Sequence, residues 1–330
     1  MKKYLFALAL VVILLVATAS LASANGGPHG GYTATTDACA GCHRAHTAVG
    51  PGLLVETSTQ ALCLSCHGAA GSGADTNVVD GVYVQGRNAV DTTGDPNTAN
   101  NGNLLGGGFT NYKLAATTST HLSDGTALLA WGNGVDRGAT ATLGAGNGLD
   151  CASCHDPHGS TNYRILRTTV NALPVVVAQV DEDTAKPCVG PGCLKDYDTE
   201  QWGAGQSQLC AACHSSYHRV NAGQGSTLDG TTYTHRVDMQ WDAAFAGAAN
   251  PESAGMGGYT LPLALTNNPA AGDGVVVCQT CHLPHGTSSA MTGFAAGTYD
   301  PAGATGPIPS GDSALLRIDN RGVCEVCHQK

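Results

Sequence analysis

Aromatic and charged residues are scarce in this chain of 330 residues, of which only 5% are aromatic and 12% charged. A chain of this length can bury a sizeable core, but this composition excludes an ordinary interior built from side chains alone. Glycine, in contrast, supplies 45 residues and favours turns over long helices or strands. The composition predicts a mostly irregular fold, with short α-helices and a few small β-hairpins, whose centre is filled by something other than side chains.

Beyond its first residues, the chain lacks an apolar run long enough to span a bilayer. Two lysines precede an apolar stretch from Leu5 to about Ala17, which leads to the small-residue site Ala22-Ser23-Ala24. This pattern is typical of a secretory signal peptide, whereas a membrane anchor would need a longer stretch. We therefore expect residues 1–24 to be removed and residues 25–330 to form one exported domain, located extracellularly, at the outer cell surface or in the periplasm.

Basic residues are outnumbered, with 15 lysines and arginines against 25 aspartates and glutamates, for a formal net charge of −10. Nucleic acids and anionic membranes are bound by basic patches. An acidic surface equally serves to keep a protein soluble. The charge balance predicts no nucleic-acid partner, and the hydropathy predicts no membrane span.

Cysteine is abundant, and twelve of the 14 cysteines form six copies of Cys-x-x-Cys-His. In a chain of this composition, chance would give roughly 0.02 copies of this motif, which is typical of c-type haem attachment. Two thiols bond to the haem vinyl groups, and the following histidine binds the iron. Zinc or a redox dithiol is the alternative, but neither explains six motifs with histidine in the same place. The sequence predicts six covalently bound haems c.

The expected thioether cysteines are Cys39, Cys42, Cys63, Cys66, Cys151, Cys154, Cys210, Cys213, Cys278, Cys281, Cys324 and Cys327. The expected proximal iron ligands are His43, His67, His155, His214, His282 and His328. The two remaining cysteines, Cys188 and Cys193, enclose a short Gly-Pro loop and are followed by leucine, so we expect a disulfide between them in an oxidising compartment.

Seven histidines remain for six distal iron positions, while only three methionines lie beyond the leader. Bis-histidine ligation of all six irons is therefore the favoured interpretation. It leaves no open position for a substrate, which indicates an electron carrier and not an enzyme, although one surplus histidine leaves a multihaem reductase as an alternative. The distal candidates are His29, His46, His121, His158, His218, His235 and His285.

Four of these histidines, His46, His158, His218 and His285, stand three or four residues after a proximal histidine. At that spacing a side chain cannot reach the opposite face of the same flat haem, so each is expected to serve another haem. His121 and His235 lie between motifs and are expected to serve haems there. His29 lies near the mature N-terminus, where chains fray, and is the expected surplus histidine.

Local patterns predict a few small elements. Capping residues ahead of several motifs predict helices of one to three turns, as Asp37 does before Cys39 and Ser207 before Cys210. The run from Val78 to Val84 predicts a hairpin with a turn at Asp80-Gly81.

Three longer signatures occur in order along the chain: Cys39-Ala-Gly-Cys-His-Arg-Ala-His46, Cys151-Ala-Ser-Cys-His-Asp-Pro-His158 and Cys278-Gln-Thr-Cys-His-Leu-Pro-His285. With the motifs between and after them, they resemble the outer-surface hexahaem cytochromes of metal-reducing bacteria that polymerise into conducting filaments. The resemblance implies a single domain wrapped around an end-to-end haem chain.

This resemblance also implies partners. His46 would ligate the haem on Cys278 and Cys281 of the next subunit, so that the chain associates with itself. Other multihaem cytochromes would exchange electrons with it, and extracellular acceptors such as metal oxides would receive them. A monomeric periplasmic or surface shuttle is the alternative, and a multihaem reductase is a third.

Overall fold

The computed structural model describes about half of the chain. The described residues are 29, 37–70, 74, 76–83, 103–127, 129–130, 141–142, 148–179, 202–214, 217, 235–241, 261–265, 274–291 and 313–328. The predicted leader, His218, and the cysteine pair Cys188 and Cys193 lie outside them. None of the helices within the described residues has the length and hydropathy to cross a membrane.

Every Cys-x-x-Cys-His motif contains or adjoins one short α-helix. The described helices are α1 (Asp37–Ala40), α2 (Thr59–His67), α3 (Cys151–Cys154), α4 (Gln206–Ala211), α5 (Cys278–Cys281) and α6 (Val323–His328). Irregular backbone accounts for most of the remaining described residues. The predicted fold class, mostly irregular with short helices and small hairpins, is confirmed.

Side-chain caps explain where several of these helices begin. The Asp150 carboxylate accepts a hydrogen bond from Ser153 N, and Ser153 Oγ accepts one from Asp150 N, which makes a capping box at α3. At α2, Ser58 Oγ accepts from Ala61 N. At α5, Thr280 Oγ1 accepts from Val277 N. These polar residues fix the first turn of motifs that are too short to hold a helix by propensity alone.

The strands are two residues long and form small, separate sheets. In chain order they are β1 (Thr76–Asn77), β2 (Val82–Tyr83), β3 (Asn111–Tyr112), β4 (Ala115–Ala116), β5 (Ser119–Thr120), β6 (Leu129–Ala130), β7 (Ala141–Thr142), β8 (Thr169–Val170), β9 (Leu173–Pro174), β10 (Trp202–Gly203), β11 (Met239–Gln240), β12 (Ala264–Leu265), β13 (Val275–Val276) and β14 (Gly286–Thr287). Four hairpins pair neighbouring strands: β1 with β2, β3 with β4, β6 with β7 and β8 with β9.

Two sheets connect distant parts of the chain. The four-stranded sheet has the order β10, β12, β13, β11; β10 pairs parallel with β12, and the other pairs are antiparallel. Strand β14 pairs antiparallel with β5, with Gly286 opposite Thr120. These sheets bring the fifth motif beside the segment that carries His121.

The hairpin predicted at Val78–Val84 forms with a different register. Its strands are β1 and β2, and the four residues from Val78 to Gly81 make the turn. Asn77 causes the difference, because its Oδ1 accepts hydrogen bonds from Val79 N and Asp80 N while its Nδ2 donates to the Asp80 carboxylate. This side chain stabilises a wider turn than the two-residue Asp-Gly turn expected from the sequence.

Buried apolar side chains form three separate clusters. One joins Tyr163 and Leu166 to two valines, a second joins Leu261 and Ile318 to Val323 and Val326, and a third surrounds Trp202. Each cluster lies against one or two Cys-x-x-Cys-His motifs. The described side chains therefore build small supports for the motifs and no single continuous core.

Candidate haem-binding site

Cysteines of successive motifs lie near one another in chain order. Each internal motif directs one cysteine to the preceding motif and the other to the following motif. Two pairs are hydrogen-bonded, Cys63 with Cys151 and Cys210 with Cys278. In three further pairs one thiol raises the pKa of its neighbour: Cys66 that of Cys42, Cys213 that of Cys154, and Cys327 that of Cys281. None of the twelve motif cysteines is in a disulfide. The attachment points of all six motifs therefore form one line.

The pKa values of these thiols reflect that arrangement. Burial, followed by the neighbouring Cys213 thiol, raises the pKa of Cys154 to about 12. Burial, followed by the Cys327 thiol, raises the pKa of Cys281 to about 12. Both thiols are protonated at neutral pH, and thioether formation would remove the proton.

The first, third and fifth proximal histidines are held in the same way. In each case Nδ1 lies against a backbone carbonyl of a later segment: His43 against Gly52 O at 2.8 Å, His155 against Arg164 O at 3.0 Å, and His282 against Ala314 O at 2.8 Å. Because Nδ1–H donates to that carbonyl, Nε2 is the nitrogen left for iron.

Each of the three later segments pairs with its motif through the same β-bridge. His43 lies opposite Leu54, His155 opposite Leu166 and His282 opposite Leu316. Three residues after the anchoring carbonyl, a backbone N–H donates to the carbonyl of the motif's second cysteine. These bonds run from Val55 to Cys42, from Arg167 to Cys154 and from Arg317 to Cys281, at 3.0, 2.9 and 3.0 Å. In the sequence, the bridging leucine of each unit directly follows a leucine or an isoleucine.

The residue before each bridging leucine has a positive φ. The values are 62° for Leu53, 51° for Ile165 and 60° for Leu315. Bulky side chains rarely adopt this conformation, because it is sterically costly. Because it recurs at three motifs, we infer that this turn serves to place the backbone carbonyl next to Nδ1 of the proximal histidine.

The other three proximal histidines lie at or just beyond the C-terminal ends of helices α2, α4 and α6. His67 ends α2, and its Nδ1 lies 2.8 Å from Thr76 Oγ1. His328 ends α6, and His214 follows α4 with its backbone N bonded to Cys210 O at 2.8 Å. The six motifs thus alternate between bridge-held and helix-held histidines, so three doubled units follow one another.

Four proximal histidines face a second histidine ring at the separation that iron requires. A metal–nitrogen bond to histidine is about 2.0 Å long and the ring centre lies about 1.1 Å further, so two axial imidazoles stand about 6.2 Å apart. The observed pairs are His29 with His67 at 6.1 Å, His158 with His43 at 6.2 Å, His121 with His214 at 6.2 Å, and His235 with His328 at 6.3 Å. These positions fit bis-histidine haem.

Backbone carbonyls also orient the distal rings. His29 Nδ1 lies 3.0 Å from Pro157 O, and His121 Nδ1 lies 2.6 Å from Pro284 O. Each proline directly precedes the second histidine of a Cys-His-x-Pro-His signature. Proline donates no hydrogen bond of its own, and its carbonyl here fixes which nitrogen of another histidine remains for metal.

The expected surplus of His29 does not agree with this geometry. Its ring stands opposite His67, and its Nδ1 lies 3.0 Å from Pro157 O, 128 positions later in the chain. Chain ends fray only where nothing holds them. The role of His29 stays a prediction, and this geometry supports the alternative that His29 is the distal candidate for the second motif.

The other expected distal residues are placed differently. His158 faces His43 and not its own proximal His155, as the spacing argument requires. Burial, followed by the nearby His155 imidazole, lowers the pKa of His285 to about 3, so this ring is neutral and close to the third motif. His46 is exposed, and no described histidine ring faces it or His282. His218 lies outside the described residues.

Within the described part of the chain, no group of three or more histidine, cysteine, aspartate or glutamate side chains converges to hold a metal ion directly. Burial lowers the pKa of His121, His155 and His282, which keeps these imidazoles neutral. Neutral imidazoles in opposed pairs beside paired thiols suit a haem, where the macrocycle supplies the other four iron ligands.

The disulfide between Cys188 and Cys193 stays a prediction, because both residues lie outside the described part of the chain. Thiol labelling of the unfolded, unreduced protein is expected to modify no cysteine, since the other twelve would be thioethers. Labelling after reduction should modify two. Two labelled residues without reduction would contradict the bridge.

A match to a protein family agrees with the prediction of c-type haem attachment. The family described as "Doubled CXXCH motif" matches residues 32–72 and 144–173. No curated protein matches the chain. Among solved structures, an Outer Membrane Cytochrome S filament from Geobacter sulfurreducens is similar at 18% identity and a TM-score of 0.43. A cryo-EM structure of OmcS nanowires from the same organism is similar at 18% identity and a TM-score of 0.37. Both alignments cover 88% of this chain and 98% of the other chain.

These motifs and their geometry define a multihaem c-type cytochrome. More particularly, the chain carries the doubled Cys-x-x-Cys-His arrangement at its first two motifs and again at its third. Residues 274–291 and 313–328 repeat the same bridge and carbonyl anchor around the fifth motif, followed by the helix of the sixth.

Proposed function

We propose that this chain carries six bis-histidine haems c and conducts electrons along them as the subunit of an extracellular filament, delivering electrons to acceptors such as metal oxides. The observation that carries the proposal is that cysteines of successive motifs are neighbours from the first motif to the sixth, with hydrogen bonds between Cys63 and Cys151 and between Cys210 and Cys278. Electron transfer between haems needs short edge-to-edge separations, and neighbouring cysteines would bring the attached edges together.

The residues of the chain have two tasks in this function. The opposed histidines would bind the haem iron, and backbone carbonyls that accept from Nδ1 hold His43, His155 and His282 in place. Bound haem iron then supplies one-electron exchange between ferric and ferrous states. Because the axial ligands are fixed by backbone hydrogen bonds, little rearrangement accompanies the change of charge.

Assembly into filaments is supported by the surroundings of His46. This exposed histidine follows the first motif, and Val49 and Leu53 nearby are 63% and 52% exposed. His282 of the fifth motif has its Nδ1 anchored, as the paired proximal histidines have, yet no described ring faces it. A second copy of the chain would supply His46 to His282 and cover the apolar residues around it.

We expect six haems per chain, because six motifs carry the complete set of two cysteines and a histidine. Haem quantification on the denatured protein, purified from a host with functional cytochrome maturation, should give six per polypeptide. Five or fewer from a homogeneous sample would contradict the stoichiometry.

Electron microscopy of secreted material from the same cultures should show filaments. Particles that stay monomeric at high concentration would favour the alternative function, a monomeric electron shuttle.

A further inference from the structure

The turn that anchors His282 is held from its other side by a buried serine. Ala314 O lies against His282 Nδ1, and Leu315 N, at the opposite end of the same peptide unit, donates to Ser119 Oγ at 2.7 Å. Both Ala314 and Leu315 have a positive φ, of 47° and 60°. The Ser119 side chain is buried. A single peptide unit therefore connects a buried hydroxyl to the proximal histidine of the fifth motif.

Ser119 belongs to a group of hydroxyls that joins three segments of the chain. Ser313 precedes the turn, and its Oγ is hydrogen-bonded to Ser119 Oγ. Thr118 Oγ1 is hydrogen-bonded to Ser313 Oγ at 2.8 Å and lies 2.7 Å from Ser289 O. Ser119, Ser289 and Ser313 are all buried. The Ser119 hydroxyl is thus held in a fixed place away from water, where a hydrogen bond polarises its partner more strongly than in solvent.

The units of the first and third motifs lack this serine contact. Their anchoring carbonyls belong to Gly52 and Arg164, and the matching N–H groups are those of Leu53 and Ile165. Within the part of the chain that the structure describes, no side chain accepts a hydrogen bond from either N–H. The hydroxyl contact therefore distinguishes the fifth motif from the two that share its carbonyl anchor.

Hydrogen bonds at the two ends of one peptide unit strengthen each other, because each increases the dipole of the amide. An acceptor on Leu315 N–H thus makes Ala314 O a stronger acceptor for His282 Nδ1–H. An imidazole whose Nδ1–H is strongly bonded is more basic at Nε2, and a more basic axial ligand stabilises ferric over ferrous iron. The serine would therefore lower the reduction potential of the fifth haem through the peptide and the histidine.

We propose that Ser119 is a positioning residue for the fifth haem, which fixes the anchoring peptide against His282 and lowers the reduction potential of that haem. This inference rests on the proposed haem loading. Ser119 stands two residues before His121, the ring that faces His214, so one short segment serves the fourth and fifth motifs together. The potential of one haem is then set by the segment that would ligate its neighbour.

The experiment is a spectroelectrochemical titration of purified holoprotein variants. Ser119→Ala removes one oxygen atom and leaves the backbone pairing of β5 intact. It is expected to move one haem's share of the absorbance change to higher potential. Ser119→Thr keeps the hydroxyl and should restore the wild-type curve, since threonine is well suited to a strand.

Ser289→Ala is the matched control for loss of a buried hydroxyl. Ser289 Oγ donates to Leu316 O at 2.7 Å, and this carbonyl also accepts from Thr287 Oγ1 at 2.8 Å, so it keeps a partner in the variant. The peptide unit that anchors His282 is a different one. We therefore expect Ser289→Ala to leave the titration curve unchanged.

A spectroscopic readout locates the effect at His282. In His46→Ala, whose fifth-motif iron is expected to be five-coordinate, the iron–imidazole stretching frequency of the reduced protein reports the strength of the hydrogen bond on Nδ1. Adding Ser119→Ala should lower that frequency, because His282 becomes a weaker ligand, and adding Ser289→Ala should not. If His46→Ala opens no iron, the inter-subunit ligand is wrong, and the titration still decides the role of Ser119.

Haem is counted on every sample. Six haems with an unchanged curve in Ser119→Ala would overturn the inference and leave the proposed loading intact. An equal shift in Ser289→Ala would also overturn it, since general loosening of the site would then suffice. So would a Ser119→Thr curve that matches Ser119→Ala. The expected shifts in a protein whose wild type carries fewer than six haems would support the serine contact and reject the stoichiometry.

Discussion

His46→Ala is expected to leave all six haems attached, to abolish filaments and to leave one iron per chain five-coordinate. The haems stay because the twelve cysteines and six proximal histidines are untouched. Filaments would be lost because the proposed bond from His46 to the next subunit's fifth-motif iron would itself be the connection between subunits. A metal–ligand bond couples binding to assembly as it couples binding to folding in metalloproteins.

Two measurements on the same preparation check this result. Electron microscopy should show single particles, and the oxidised absorbance spectrum should contain a high-spin component from about one iron in six, since only bis-histidine sites remain low-spin. The reduced protein should bind carbon monoxide at that iron. Wild-type filaments should bind none.

His218→Ala is the matched control, because His218 also follows a proximal histidine at short range. With His29 opposite His67, we propose His218 as the surplus histidine. We expect this variant to form filaments with all irons low-spin. If His218→Ala instead opens an iron while His46→Ala does not, all six irons are ligated within one chain, and the monomeric shuttle becomes the better function. Normal filaments from His46→Ala would likewise reject the inter-subunit ligand.

Much of the site could be predicted from local sequence, since haem attachment is a local chemical requirement. Two cysteines and a histidine must stand at fixed spacing to meet one porphyrin edge and its iron, so the pattern is complete within five residues. Short helices at the motifs were expected, but the cap expected at Ser207 is wrong, because Ser207 lies inside α4, which follows Gly205 and has no side-chain cap. The observed caps at α2 and α3 are Ser58 and Asp150. The scarcity of aromatic side chains likewise indicated that side chains alone build no single core.

The pairing of distal with proximal histidines could not be predicted, because it depends on contacts between distant segments. His29 reaches His67 through a carbonyl of Pro157, and His121 reaches His214 through a carbonyl of Pro284. Neither contact has a signature in the residues around the ligand itself. The hairpin at β1 and β2 differs for another reason: the Asn77 side chain competes with the strand register that apolar residues favour.

The repeated unit after the odd-numbered motifs has a signal that the sequence analysis did not use. Leu53-Leu54, Ile165-Leu166 and Leu315-Leu316 each follow a Cys-His-x-x-His signature. An apolar pair ordinarily indicates a strand or helix face, and nothing in it predicts positive φ. The conformation is fixed by the bridge to the proximal histidine, which only the assembled unit displays.

His29→Ala is expected to open the iron of the second motif without affecting assembly. In the structure His29 is the ring that faces His67, at 6.1 Å between centres, and no other described histidine ring faces it. Removing the imidazole should leave the Cys63 and Cys66 thioethers intact, so the haem count stays at six. The oxidised spectrum should again gain a high-spin component from about one iron in six.

The two histidine variants are distinguished by where the open iron lies and by what it does to assembly. His29 is held to Pro157 of its own chain, so its loss breaks a bond within a subunit, and filaments should still form. Carbon monoxide should therefore bind to intact His29→Ala filaments but to single particles of His46→Ala.

A combined variant should show high-spin signal from about two irons in six, because the two sites are independent. An entirely low-spin spectrum from His29→Ala would return His29 to the role of surplus histidine and require another distal ligand opposite His67.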